Sequence, residues 1–195
     1  ELLSRFSNPR LKIYRIQNSG IEKASNYGFE RASGRYFVRV DADDSLESCF
    51  LEQVEKHLND DVAFYYGNYI VVDEFGNEVS KQILPEFSKD EILHRGDFLA
   101  TGTVYKRSIL EKLGYYDVTL KNSGLENYDL VLKILLSGES GKRINESIFK
   151  YRRHSKNLSS LRRAQIIENG HLLCKRLGIG KFQTNQYHPY GLVLE

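Results

Sequence analysis

Residues 35–44 read Arg-Tyr-Phe-Val-Arg-Val-Asp-Ala-Asp-Asp. The first six are rich in aromatic and β-branched residues, which pack well on a pleated surface, so they read as a strand. Three carboxylates follow at once, Asp41, Asp43 and Asp44. If extended geometry holds as far as Asp43, side chains alternate and Asp41 and Asp43 project to the same side. Two like charges at one strand end repel unless a cation or hydrogen-bond donors compensate them. Oxygen-rich clusters of this kind suit Mg²⁺ or Mn²⁺. Asp44 has a second reading as the N-cap of a following helix, with Glu47 closing a capping box. That reading leaves Asp41 and Asp43 unexplained.

The chain around this stretch alternates in period. Residues 1–7 read as the end of a helix, broken by Asn8-Pro9. Leu11 to Ile16 alternates apolar and polar, as a half-buried strand does, and Asn18-Ser19-Gly20 is a turn. Ile21, Ala24, Gly28 and Ala32 then share one helical face, small enough to approach a sheet closely, before Ser33-Gly34 ends the helix. Leu46, Phe50, Val54 and Leu58 mark a second helix. Residues 62–73 form an aromatic strand, returned through Glu74-Phe75-Gly76-Asn77 to 78–83. A short helix is expected at 89–95, a strand at 100–105, a helix at 107–113 and a loop from Gly114 to Gly124. A helix at 126–137, a strand at 142–151 and a helix at 159–177 follow, the last with Leu161, Ile166, Leu172, Leu173 and Leu177 for burial.

Alternating strands and helices predict an α/β fold with a mixed, mainly parallel sheet flanked by helices and interrupted by an antiparallel hairpin. In such sheets the ligand sits at the carboxyl ends of the strands, which is where the three aspartates fall. The expected organisation is one domain over 1–160, with a helix and tail at 161–195 packed upon it.

Composition narrows the function. A net charge of +2, with basic residues scattered but for Arg152-Arg153 and Arg162-Arg163, does not argue for nucleic acid, and no nucleic-acid partner is expected. Cys49 and Cys174 have no metal-ligand spacing and read as reduced thiols, which points to a cytoplasmic setting. No run of 18 apolar residues is present. The sequence contains no methionine, so the expectation is that the chain does not open at a native start.

Taken together, Asn18-Ser19-Gly20, Ala24-Ser25-Asn26, Gly28, Ala32-Ser33-Gly34, Tyr36 and Val40-Asp41-Ala42-Asp43-Asp44 resemble the first half of the inverting family-2 glycosyltransferases of GT-A fold. Gly114-Tyr115-Tyr116-Asp117 resembles the G-G-x-D step of that family, and Leu125-Glu126-Asn127-Tyr128-Asp129-Leu130 its E-D-Y-D-L helix. Tyr151-Arg152-Arg153-His154 with Ser155, Asn157 and Ser159 resembles its Y-R-x-H…S segment. The resemblance covers roughly residues 10–160.

The resemblance implies transfer of a sugar, with inversion, from a nucleotide-sugar such as a UDP-sugar to a glycan or lipid-linked acceptor, in cell-surface polysaccharide synthesis. It implies a divalent cation, Mn²⁺ or Mg²⁺, to neutralise the departing diphosphate. Asp43 would hold the metal, Asp41 would sit by the ribose or the metal's waters, and His154 would meet the diphosphate or the metal. Asn26 and Arg31, on the preceding helix, would face the nucleotide. Peripheral contact with the inner face of the membrane fits a lipid-linked acceptor; the Arg-rich helix at 159–177 reads either as a solvated charged face or as the contacting element. Tyr65, Tyr66 and Tyr69 and the loop at 114–124 are candidates for the acceptor side.

Two departures from the pattern stand out. The usual general base is the aspartate of E-D, and here that position is Asn127, whose amide cannot take a proton as a base. Glu126 is the expected substitute, with Asp129 next. The apolar strand that begins the family, roughly V-S-V-I-I-P-x-Y-N, is not found in the chain. Both departures favour the rival reading, a non-catalytic glycosyltransferase-like binding module.

Overall fold

The computed structural model describes residues 5–99, 101–155, 157, 161–188 and 194. The first two segments show how strongly pairing decides what a periodic sequence becomes. Residues 11–16 have the expected alternation but no strand beside them among the described residues, and they form no regular structure. Leu11, Ile13, Tyr14 and Ile16 are left exposed. Helix α1 (Ile21–Arg31) forms as expected but with a different face inward. Glu22 and Phe29 are its buried residues, and Phe29 stacks on Phe37 with ring centroids 5.2 Å apart. The small residues Ala24 and Gly28 face outward. Aromatic burial outweighs small-residue fit here, since one buried ring contributes on the order of 2–3 kcal/mol.

The sheet is built from β1 (Tyr36–Val38), β2 (Ser45–Leu46), β3 (Phe64–Val72), β4 (Glu78–Gln82), β5 (Val104–Lys106) and β6 (Gly141–Arg152). Their order is β1-β5-β3-β6-β2, with β4 also on β3. The only parallel pairing among the described residues is β3 with β6, and the other four are antiparallel. The sheet is therefore mixed, as expected, but not mainly parallel. The 11–16 segment is unpaired, and β5 and β4 both return antiparallel against β3, β5 at Phe64–Tyr65 and β4 at Tyr69–Val72.

Helices α2 (Phe50–His57), α3 (Lys89–Arg95), α4 (Arg107–Leu113), α5 (Glu126–Leu136) and α6 (Arg163–Leu177) cover this sheet. All nine residues of β3 are buried. The Tyr65 hydroxyl donates to the Asn59 carbonyl at 2.8 Å, and that of Tyr66 donates to the Pro85 carbonyl at 2.8 Å. Tyr69 stacks on Phe149 at 4.8 Å. These tyrosines are core with satisfied or enclosed ring ends, which corrects their expected place on the acceptor side. In α6 the inward residues are Leu173 and Cys174, whereas Leu161 and Leu172 are exposed. The start of the expected 159–177 helix and Ser159 lie outside the described residues.

Candidate functional site

The site grows from the end of β1. A turn closes at once, with the Asp44 N–H donating to the Asp41 carbonyl at 3.1 Å. This turn ends the strand alternation, so Asp41 and Asp43 engage different partners. Asp44 is not a helix cap: α2 starts later, at Phe50, because Ser45 and Leu46 pair with β6 as β2. Its carboxylate instead accepts the Arg152 backbone N–H at 2.8 Å. Burial pushes its acid strength down, raising its pKa above the usual value.

Asp41 belongs to an arginine. Arg39 Nε lies 2.9 Å from Asp41 Oδ1, and its Nη1 lies 2.9 Å from Glu126 Oε1. Glu126 is the first residue of α5 and is 7% exposed. One guanidinium fork thus ties the end of β1 to the start of α5, the geometry for which Arg is suited. The backbone around it is fixed by the 101–103 loop. Gly102 N–H donates to the Arg39 carbonyl, and the Asp41 N–H donates to Thr101 Oγ1. Gly102 has φ +80, and a Cβ there would meet the Phe149 ring at 2.9 Å, so the close approach requires glycine. Sequence reasoning passed over Arg39. A cation two residues before Asp41 on a strand was the signal that marks it.

Asp43 faces the end of β6. Its Oδ2 lies 3.1 Å from His154 Nε2. The segment carrying His154 is wired to the aspartate turn. Arg152 Nε donates to the Asp43 carbonyl at 2.9 Å, and its Nη1 donates to the carbonyls of Asp73 and Glu74 at 3.1 Å. Asn157 Oδ1 accepts the His154 N–H at 2.6 Å, and its Nδ2 donates to the Arg152 carbonyl at 3.1 Å. Two stretches more than a hundred residues apart in sequence are held as one unit.

Asp43 and Asp41 line one cleft of about 590 Å³, together with Asp97, Glu126, Asn127 and Asn157. Among the described residues no three His, Cys, Asp or Glu side chains converge as a metal cage. The donors present still fit a cation of the Mg²⁺ or Mn²⁺ type. Such ions are held by one or two protein groups, with waters and substrate phosphates completing the shell. Asp43 and His154 are the two groups that would hold such an ion, since Asp41 is engaged by Arg39.

Other expected site residues lie elsewhere. The Asn26 amide is spent on the backbone of Tyr116, donating to its carbonyl at 2.8 Å and accepting its N–H at 3.0 Å. Arg31 sits at the exposed end of α1 over the Tyr27 ring, 3.4 Å from its centroid. Asp129 is 0% exposed and lies between Lys133 at 2.6 Å and Arg176 at 2.9 Å. Asp129 lies three residues on from Glu126, but it is held by these two cations, Lys133 of α5 and Arg176 of α6, and is not among the residues that line the cleft. Asn127 does line it, with Oδ1 accepting the Tyr116 hydroxyl at 2.6 Å.

Comparison with known proteins agrees with this architecture. The chain matches the family model "Glycosyl transferase family 2" over residues 1–114. It is 27% identical over 180 residues to glycosyltransferase GlyA of Streptococcus pneumoniae serotype 4, covering 82% of this chain and 25% of that protein. It is 27% identical over 172 residues to the Escherichia coli enzyme WfaP, a UDP-Glc:alpha-D-GlcNAc-diphosphoundecaprenol beta-1,3-glucosyltransferase, covering 86% of this chain and 66% of that one. The chain therefore spans less than two thirds of the length of these relatives. Among solved structures it resembles S. aureus TarS 1–349 in complex with UDP-GlcNAc, with a TM-score of 0.61, 14% identity, and 82% and 47% of the two chains covered. It also resembles the mannosyltransferase PcManGT from Pyrobaculum calidifontis in complex with GDP-Man and Mn²⁺, with a TM-score of 0.57, 16% identity, and 91% and 49% covered. At such identities the structural likeness shows the fold, which is the mixed α/β fold of GT-A glycosyltransferases. The family match takes in residues 1–114 of the 195, and the chain belongs to glycosyl transferase family 2.

Proposed function

We propose that the protein transfers a sugar, with inversion, from a nucleotide-sugar to a glycan or lipid-linked acceptor, using a divalent cation. The observation that carries this reading is the Asp43–His154 pair, 3.1 Å apart, with Asp43 lining a cleft large enough for a nucleotide-sugar. Asp43 and His154 would hold the cation against the donor's diphosphate, where it would supply Lewis-acid neutralisation of the leaving group. Asp41, held by Arg39, is positioned at the ribose side of the cleft. Glu126, on the same guanidinium, marks the acceptor side.

A UDP-sugar is the favoured donor, because TarS is seen with UDP-GlcNAc and WfaP is named for UDP-Glc. A lipid-linked acceptor follows from the name of WfaP, and the second relative of that kind, a Campylobacter jejuni glucosyltransferase named for an undecaprenol-linked glycan, is 32% identical over 111 residues. No helix among the described residues is long and apolar enough to cross a membrane. The undecaprenol-linked acceptor in the name of WfaP supports peripheral contact at the cytoplasmic face of the membrane, with polysaccharide synthesis as the setting. Asn127 favours the second reading, a binding module without turnover, because the amide sits where the family base belongs. Incubating the full-length protein with a panel of UDP-, GDP- and dTDP-sugars and Mn²⁺, and measuring release of the nucleoside diphosphate, separates the two. Release supports the transferase, and Mn²⁺-dependent nucleotide binding without release supports the module.

A further inference from the structure

Asn127 leaves the acceptor's proton without a home, and Glu126 is a poor substitute in this geometry. Its carboxylate is bound by Arg39 at 2.9 Å, so taking up a proton would dissolve the ion pair that also positions Asp41. Another acid lines the same cleft. Asp97 follows α3 in a loop for which sequence reasoning assigned no role, and its Oδ1 is buried with no hydrogen-bond partner among the described residues.

We propose that Asp97 is the general base of the transfer, taking over the part that Asn127 cannot play. This rests on the transferase reading given above. The acceptor oxygen forms its bond to the sugar's anomeric carbon as the bond from that carbon to the diphosphate oxygen breaks. The electron pair of the broken bond leaves with the nucleoside diphosphate, and the acceptor's hydroxyl proton passes to the Asp97 carboxylate.

Three features suit Asp97 to the task. Its place is rigid. The preceding Gly96 has φ +84, and a Cβ there would lie 2.8 Å from Thr184 and 3.0 Å from His188, so the 183–188 segment is packed against the loop. The His188 ring hydrogen-bonds the Asp97 backbone carbonyl. Its surroundings favour accepting a proton: the carboxyl is held well above its usual range by burial first and then by the charge of Glu126, with Arg39 and the Leu99 N–H opposing. The phenols of Tyr69, Tyr105, Tyr116 and Tyr128 complete its electrostatic neighbourhood, and burial raises each of their pKa values, so they stay neutral near pH 7. A base poised nearer the working pH is also the more effective one.

The test uses the full-length protein, Mn²⁺, the panel of nucleotide-sugars, and GlcNAc-diphosphoundecaprenol as the acceptor probe. Asp97→Asn is expected to lower kcat by about a hundredfold or more, with UDP affinity within twofold of wild type. Asp97→Glu is expected to keep measurable turnover with a displaced acid limb in its pH–rate profile, and it decides the matter if Asp97→Asn does not fold. Turnover by Asp97→Asn within threefold of wild type overturns the assignment. So does loss of UDP binding along with turnover, or disappearance of the acid limb in Glu126→Gln rather than in the Asp97 variants. If wild type neither binds UDP nor releases diphosphate, the transferase reading itself fails and takes this one with it.

Discussion

Replacing Arg39 by Met keeps most of the stem's volume and removes the charge that joins two carboxylates. The two ion pairs differ in weight. Asp41 has 30% of its side chain exposed, so losing its partner returns it to water at a cost of about 1 kcal/mol or less. Glu126 has 9% exposed, and a buried carboxylate stripped of its partner costs on the order of 3 kcal/mol. The expected loss for Arg39→Met is therefore about 3–4 kcal/mol, read as a lower urea midpoint at unchanged slope. The double variant Arg39→Met with Glu126→Gln leaves no buried charge behind. It is expected to recover about 2 kcal/mol, a coupling of the size found for residues in direct contact. A loss under about 1 kcal/mol for Arg39→Met, or no recovery in the double variant, would refute the claim that this arginine ties β1 to α5 through Glu126.

Other outcomes follow from the same structure. Burial, and then the charges of Arg163 and Arg95, lower the His188 pKa from 6.5 to about 4, so the fold favours the neutral ring. The stability this represents is present above pH 6.5 and is lost as pH falls through about 4, and His188→Gln should flatten that acid limb in thermal melts. Gly102→Ala should cost about 2 kcal/mol in urea unfolding, from the positive φ and from displacement of Phe149. Asp129→Asn should cost about 1 kcal/mol, since Lys133 and Arg176 are partly exposed and Arg176 keeps Asp117, while UDP affinity is unchanged. Stability unaltered with turnover lost would return Asp129 to the reacting centre.

Local signals survived into the structure where one helix or hairpin settles its own shape. The α1, α3, α4 and α5 spans and the β3–β4 turn at Gly76 were legible because caps, glycines and period 3.6 act within a few residues. Signals that depend on a neighbour were not. The 11–16 alternation needs a paired strand, and Asp44 could be a cap or a β6 anchor until β6 is in place. The site divides in the same way. Asp43 and His154 could be joined through the order of the family's motifs, though they are 111 residues apart. Asn26, Arg31 and Asp129 could not be excluded in sequence, because a backbone carbonyl, a tyrosine ring and α6 are what occupy them. Asp97 carries no motif at all, and only its burial beside Glu126 marks it.

The claim that everything else depends on is that Asp43 and His154 hold the cation under a nucleotide diphosphate. Calorimetric titration of UDP into the full-length protein, with Mn²⁺ and then with EDTA, tests it directly, with Asp43→Ala as the comparison. The account predicts Mn²⁺-dependent binding in wild type that is lost in Asp43→Ala. Binding of equal strength in Asp43→Ala, or binding indifferent to Mn²⁺, would contradict it.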